Sequence, residues 1–166
     1  MTRKAPARRG DERTLLNEWL DWHRATVRRK CEGISDADAH CAHLPSSPLM
    51  TMAGVVSHLR WVENGWFETH LLGRPDLAPW TEEDPDAEMR VDGLPLARLL
   101  DEYDEQCARS REIVAGLSLD AVEKGRPPGS EPYSLRWIML HMIEETARHN
   151  GHLDAIRELT DGVTGM

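Results

Sequence analysis

A carboxylate and two imidazoles recur at helical spacing near the C-terminal end of the sequence, at Glu145, His149 and His152. At 3.6 residues per turn these positions fall at about 0°, 40° and 340° around a helix axis, within a stripe about 60° wide. Imidazole nitrogens and carboxylate oxygens are ligands of zinc and related divalent ions. The spacing predicts a helix face that can hold a metal ion; a solvated helix edge is the alternative.

Several ligand pairs are geometrically possible on this face. Glu145 lies four positions before His149 and four after His141, and His149 lies three before His152. A catalytic zinc site uses three protein ligands and leaves a position for water or substrate. The third ligand must then come from another helix.

His58 is the best candidate for that third ligand. It shares its side of a predicted helix with aliphatic residues, whereas Glu63 and Asn64 are expected to point outward. A buried imidazole needs a partner, and a metal ion is one such partner. A core histidine that hydrogen-bonds a neighbouring side chain is the alternative.

A second set of possible ligands is His40, Cys41 and His43, which we interpret as loop residues because no matching second pair is present. The other cysteines, Cys31 and Cys107, are far apart in sequence, and no C-x-x-C motif occurs. The sequence thus predicts neither a disulfide framework nor a cysteine zinc site.

The tryptophans are interpreted as core or interface anchors, and those near the ends of a bundle could line a pocket where Tyr103 donates a hydrogen bond. They are Trp19, Trp22, Trp61, Trp66, Trp80 and Trp137.

Four long segments with a helical period predict the elements that must position these residues. They are separated by an acidic, proline-containing segment at 74–92, interpreted as a solvated loop or lid, and by a turn at Pro127-Pro128-Gly129. The predicted fold is an all-α, antiparallel four-helix bundle, with up to five helices. The segments run from about Asp11 to Cys31, from about Leu49–Thr51 to Gly73, from about Pro95 to Gly116–Ser118, and from about Ser134 to Gly162.

The chain of 166 residues is long enough for one core, and residues 11–166 are predicted to form a single domain. Residues 1–10, which contain the basic cluster Arg3, Lys4, Arg8 and Arg9, are predicted to be a disordered leader.

The formal net charge of -9 argues against a nucleic-acid partner, because such binding depends on neutralising phosphates. No apolar run approaches the roughly 20 residues that cross a bilayer, and no signal peptide is recognised, so no membrane partner and a cytoplasmic location are predicted.

Two stretches of the sequence are similar to those of a known family. They are 57–66 (SHLRWVENGW) and 147–154 (ARHNGHLD), the latter followed by Arg157-Glu158 and by 161–165 (DGVTG). On these residues the chain resembles the DinB/YfiT-like helical bundles, in the mini-circle protein branch, from about Asp11 to Gly165.

The resemblance implies a divalent metal bound by one histidine of the second long helix and an i, i+4 pair of the last, which here are His58, Glu145 and His149. The usual pair is two histidines, and Glu145 stands where the first would be. The related mycothiol-dependent maleylpyruvate isomerase similarly pairs a glutamate with a histidine. Two histidines and one carboxylate form a ligand set that suits zinc, and the same set also accepts nickel or iron. His152 is then a substitute ligand, a residue behind the ligands or a catalytic proton shuttle.

Relatives include S-transferases and isomerases that use mycothiol, bacillithiol or glutathione. The resemblance therefore implies a metal-dependent enzyme that uses a low-molecular-weight thiol on a small electrophilic substrate. Arg148, Arg60 or Arg157 could receive an anionic substrate or form ion pairs. The alternative function is a non-catalytic metal-binding or stress-related helical bundle. Family habit also suggests a homodimer.

Overall fold

The computed structural model describes residues 3–126 and 129–165, and within them it contains helices and no strand. This confirms the predicted all-α bundle, with four long helices and one short one. A 3₁₀ turn, Ala87–Met89, lies in the acidic segment, and the predicted Pro127-Pro128 turn lies outside the described residues. The helices are α1 (Glu12–Lys30), α2 (Asp36–Ala39), α3 (Met52–Asn64), α4 (Leu96–Ala115) and α5 (Leu135–Asp161).

Side-chain caps start three of the long helices where the sequence predicts them. Asp11, Thr51 and Ser134 each accept a hydrogen bond from the backbone N–H three residues later. Such a cap satisfies one of the N–H groups that a first helical turn leaves without a partner. Gly162 ends α5 with φ of 77°, a left-handed conformation that glycine adopts without steric cost.

The helix that begins at Met52 changes its hydrogen-bond pattern after Asn64 and continues as a π-helix, Gly65–Leu71. The sequence predicts the length of this segment but not the wider turn, because apolar spacing does not distinguish the two patterns over two turns. Phe67 and Leu71 of the π-helix are buried in the core.

The core has two apolar clusters between the long helices. Helix α1 packs mainly on α5 and α3 on α4, while α3 also contacts α5. Val55 and Leu59 of α3 lie in the first cluster, with residues of α1, α4 and the C-terminal half of α5. Leu20 and Phe67 lie in the second, with the N-terminal half of α5. This packing brings the middle of α3 against the middle of α5.

Glu63 and Asn64 do not point outward, which corrects the sequence-based expectation. The Glu63 carboxylate is fully buried and accepts two hydrogen bonds from the Arg24 guanidinium, at 2.7 Å from Nε and 2.7 Å from Nη2. Asn64 is buried beside Gln106, whose side-chain oxygen lies 3.4 Å from the Asn64 amide nitrogen. Pairing with a cation from α1 offsets the cost of removing the Glu63 charge from water.

None of the tryptophans is fully buried, although Trp66 packs against the second apolar cluster. Trp19 and Trp137 are exposed, and the other four are partly exposed. Trp66 and Trp137 instead meet at the surface where the π-helix approaches α5, with ring centroids 5.5 Å apart.

Residues 3–10 lie outside any helix and contact α1. The guanidinium carbon of Arg3 is 3.6 Å from the centre of the Trp22 ring, and the backbone N–H of Ala7 donates to Glu18. A disordered leader over residues 1–10 stays a prediction. None of the helices in the described ranges is both long and apolar enough to cross a bilayer.

Candidate metal centre

His58, Glu145 and His149 lie together where α3 packs against α5. One potential ligand atom from each residue lies within 4.8 Å of the others. Within the described ranges, this is the one group of three or more histidine, cysteine, aspartate or glutamate side chains with that geometry. Helix α5 brings Glu145 and His149 together by their i, i+4 spacing, and the α3–α5 contact adds His58.

Glu145 Oε1 is the central atom of the cluster. It lies 3.1 Å from His149 Nε2 and 3.4 Å from His58 Nε2, and the two imidazole centroids are 4.7 Å apart. Ligand atoms about 2.0–2.2 Å from a tetrahedral zinc ion are separated by about 3.3–3.6 Å. The donor set and its separations therefore fit a divalent cation without a large rearrangement.

The two oxygens of Glu145 have different partners. Oε2 lies 3.3 Å from Arg148 Nη1, which leaves Oε1 as the oxygen that faces both imidazoles. Hydrogen bonds from His149 and His58 hold the pKa of the Glu145 carboxyl far below its usual range, although burial opposes this effect. Glu145 is thus ionised at neutral pH, as a metal ligand must be.

A carboxylate that the sequence analysis did not single out completes the surroundings of His58. Glu88 Oε1 lies 3.0 Å from His58 Nδ1. Glu88 is buried, although it comes from the segment interpreted as a solvated acidic loop. Burial lowers the pKa of His58, but the hydrogen bonds and charges of Glu145 and Glu88 outweigh burial and raise it. Nothing local in the sequence distinguishes Glu88 from the exposed carboxylates around it.

His152 lies beside the cluster and not within it. Its Nδ1 is 3.4 Å from Nδ1 of His149, and the two rings meet edge to face with centroids 5.1 Å apart. Burial, followed by the charges of His149 and Arg148, lowers the pKa of His152. Within the cluster, His152 contacts His149, and a catalytic role for His152 stays a prediction.

Several aromatic rings lie on the N-terminal half of α5 and on the π-helix that faces it. On α5, His141 is one turn before Glu145 and stacks on Trp137 at 5.1 Å between centroids. Trp66 lies across from them, 4.7 Å from the His141 ring. Tyr103, expected to donate a hydrogen bond in such a pocket, is instead fully buried in the core. Its hydroxyl therefore has no access to this surface.

The other sequence-based candidates have separate partners. His40 Nε2 lies 2.9 Å from the Leu94 carbonyl oxygen, and His43 Nε2 lies 2.9 Å from the Thr160 hydroxyl, while Cys41 is exposed. These contacts agree with the interpretation of His40, Cys41 and His43 as loop residues.

The three arginines considered for an anionic substrate have protein partners. Arg148 pairs with Glu144 and Glu145. Arg60 pairs with Glu102, at 3.8 Å between Nε and Oε2, and also lies over the Trp61 ring. Arg157 pairs with Asp161 and donates to two backbone carbonyl oxygens. Ion pairing, the alternative considered for all three, is what the structure shows.

Comparisons with known proteins agree with this architecture. Residues 15–162 match the family model described as mycothiol S-transferase. A crystal structure titled as the conserved protein of a locus from Enterococcus faecalis is similar in fold, with a TM-score of 0.67 and 15% sequence identity, over 93% of this chain and 100% of that one. A search of curated proteins gave no significant match. The comparisons confirm the DinB-like fold expected from the sequence.

Proposed function

The chain belongs to the mycothiol S-transferase family, and from that membership and the His58–Glu145–His149 geometry we propose that it is a metal-dependent, thiol-dependent S-transferase or isomerase acting on a small electrophile. The observation on which the proposal depends is the convergence of three potential ligand atoms within 4.8 Å at the α3–α5 contact.

The three residues would hold a divalent cation, with zinc as the first candidate and nickel or iron as alternatives. Two imidazole nitrogens and one carboxylate oxygen form a ligand set that catalytic zinc sites use, and three protein ligands leave a position for another molecule. A cation bound there supplies Lewis acidity, which lowers the pKa of a thiol that coordinates it.

In this proposal, other residues around the cluster accept the thiol proton and provide a surface for the electrophile. His152, with its lowered pKa, is neutral at pH 7 and is assigned as the base that accepts the thiol proton. In a transfer reaction the thiol loses this proton, the sulfur bonds to the electrophilic carbon, and the leaving group departs with the electrons of its own bond. Trp66 and Trp137 form an aromatic surface about two helical turns from His58 and Glu145, and we assign this surface to the electrophile.

The first test is metal content by elemental mass spectrometry on untagged protein. We expect about one divalent ion per chain in wild type, and loss of it in His58→Ala, Glu145→Ala and His149→Ala. His43→Ala is the matched control, because His43 contacts Thr160 and not the cluster. Metal content that is far below one per chain and unaffected by the three substitutions would contradict the proposal.

The second test separates an enzyme from a non-catalytic metal-binding bundle. Adduct formation between mycothiol and a fluorogenic haloalkyl electrophile is measured with and without chelator, with bacillithiol and glutathione as comparison thiols. We expect a rate that needs both thiol and metal. Stoichiometric metal without turnover of any of the three thiols would favour the non-catalytic protein.

A further inference from the structure

The Glu88 side chain is an exception among the carboxylates of the segment between the π-helix and α4. Glu88 is only 4% exposed to solvent, whereas the same segment also contains the exposed residues Glu82, Glu83 and Asp86. One carboxylate oxygen lies 3.0 Å from His58 Nδ1, and the other, Oε2, is buried with no hydrogen-bond partner among the described residues. Burial of a carboxyl oxygen without a hydrogen-bond partner is costly, so the fold must hold Glu88 in place by other contacts.

Those contacts do not involve the His58 side chain. The Ser57 hydroxyl donates a 2.6 Å hydrogen bond to the backbone carbonyl oxygen of Glu88. Gly54, one turn earlier on α3, allows the close approach of two backbone segments, because a Cβ there would lie 2.5 Å from the Leu49 carbonyl oxygen and 3.1 Å from that of Met89. The 3₁₀ turn is therefore held against α3 through its own backbone, whose Glu88 carbonyl oxygen accepts from the Ser57 hydroxyl, and Glu88 is aimed at His58 by that attachment.

The two ring nitrogens of His58 face opposite sides of the site. Nδ1 faces Glu88 and Nε2 faces Glu145 Oε1. An imidazole binds a metal ion through one nitrogen only when the proton is on the other, and a carboxylate acceptor at that other nitrogen both fixes the tautomer and orients the ring.

We propose that Glu88 is a positioning residue for the metal centre: by accepting a hydrogen bond from His58 Nδ1, it holds the His58 ring with Nε2 directed at Glu145 and His149. This inference rests on the proposed function. It also gives a role to the acidic segment 74–92, because this segment supplies the carboxylate that contacts His58 at Nδ1, the nitrogen away from Glu145. The segment is then part of the metal site and not a solvated connection.

The test uses Zn²⁺ as the probe and compares the dissociation constants of wild type, Glu88→Gln and Glu88→Ala in competition with a chromophoric chelator. Substitution of such carboxylates in other metal sites weakens metal binding about 10–100-fold, and we expect a loss in that range for both variants. Glu83→Gln is the matched control, because it removes the same charge from the exposed part of the same segment. Ser57→Ala tests the attachment without touching the His58 ring.

A spectroscopic readout distinguishes positioning from a purely structural role. In zinc-loaded wild type labelled at the histidine nitrogens, ¹⁵N NMR is expected to show His58 bound through Nε2 with its proton on Nδ1. In Glu88→Gln the NMR resonance of the Nδ1 proton is expected to move, and this proton should exchange faster with water. The Tm of the metal-free variant should stay near that of Glu83→Gln.

Two results would overturn the inference while leaving the proposed function in place. They are zinc affinity in Glu88→Gln equal to wild type, and coordination of His58 through Nδ1. A wild-type protein that binds no zinc would overturn both the inference about Glu88 and the proposed function. Since the Ser57 hydrogen bond helps to aim Glu88 at His58, Ser57→Ala should also weaken zinc binding, by no more than Glu88→Ala does.

Discussion

Arg24 of α1 and Glu63 of α3 form a bidentate ion pair inside the bundle, with two hydrogen bonds of 2.7 Å and side chains that are 4% and 0% exposed. Two observations place it in the structural core and not in the metal centre. Both side chains are buried, close to the core residues Tyr103 and Cys107, and the pair shares no residue with the His58–Glu145–His149 cluster. It joins α1 to α3 across the bundle.

Removal of one partner from this pair should destabilise the protein strongly. Glu63→Gln leaves the buried Arg24 charge with only the partly exposed Asp21 carboxylate, 3.1 Å from Nη1, as an anionic partner. We expect a loss of up to about 3–5 kcal/mol in the free energy of unfolding, measured by urea denaturation. The exposed pair between Arg28 and Asp101 is the control, because Asp101→Asn should cost less than about 1 kcal/mol. The double variant Arg24→Met/Glu63→Leu should lose less than Glu63→Gln; an equal or larger loss would mean that the pair itself is net stabilising.

Substitution of His152 should separate catalysis from metal binding. If His152 accepts the thiol proton, His152→Gln lowers kcat/KM by about 10²–10⁴-fold, the usual contribution of a general base. Metal content should stay near that of wild type, because His152 touches His149 without belonging to the cluster. Loss of metal in this variant would instead make His152 a ligand or a support for one.

Metal removal should lower stability by an amount set by mass action. A ligand that binds only the folded state stabilises it by about 2.7 kcal/mol at a free concentration 100 times its Kd. We therefore expect the Tm of zinc-loaded wild type to fall on addition of chelator. The variant His58→Ala/Glu145→Ala should show no such shift. A chelator effect of equal size in that variant would indicate zinc bound elsewhere.

Thiol reactivity should follow burial. Cys31 and Cys107 are buried, and burial raises the pKa of Cys31 to about 12, whereas Cys41 is exposed. Iodoacetamide at pH 8 should label Cys41 alone in the native protein and all three thiols in urea, as read by mass spectrometry. Since the Cys31 thiol has a higher pKa folded than unfolded, the native state binds more protons above about pH 9, and stability should fall there as pH rises. Labelling of Cys31 as fast as Cys41 would contradict the buried position.

A methyl group at Gly125 should disrupt the attachment of the segment before α5. A Cβ at this position would lie 2.1 Å from the Thr69 carbonyl oxygen, and the Gly125 N–H donates to the His70 carbonyl oxygen. We expect Gly125→Ala to cost about 1–3 kcal/mol, the usual range for overpacking. Gly116→Ala is the control, because a Cβ there would have nothing within 4 Å. Equal thermal stability of the two variants would contradict the close approach at Gly125.

The helix boundaries could be predicted from sequence because their causes are local. Asp11, Thr51 and Ser134 cap helices by bonding to a backbone group three residues away, and such contacts depend on spacing alone. The i, i+4 relationship of Glu145 and His149 is local in the same sense.

The partners of buried polar groups were the part that could not be predicted. Glu63 lies 39 positions from Arg24, and Glu88 lies 30 from His58. A charged residue on a predicted helix is ordinarily exposed, and only the tertiary packing shows which one has a buried counterpart. The same holds for Tyr103, whose position in the core removes it from the pocket expected around it.

The distance in sequence between His58 and Glu145 determines when during folding the two side chains can meet. The two residues are 87 positions apart and meet only through the contact of α3 with α5. An unfolded chain therefore offers isolated imidazoles and carboxylates but no assembled chelate. A cation at the proposed site would therefore bind only after the last long helix has docked, so the cellular metal supply would act on completed folds and not on nascent chains.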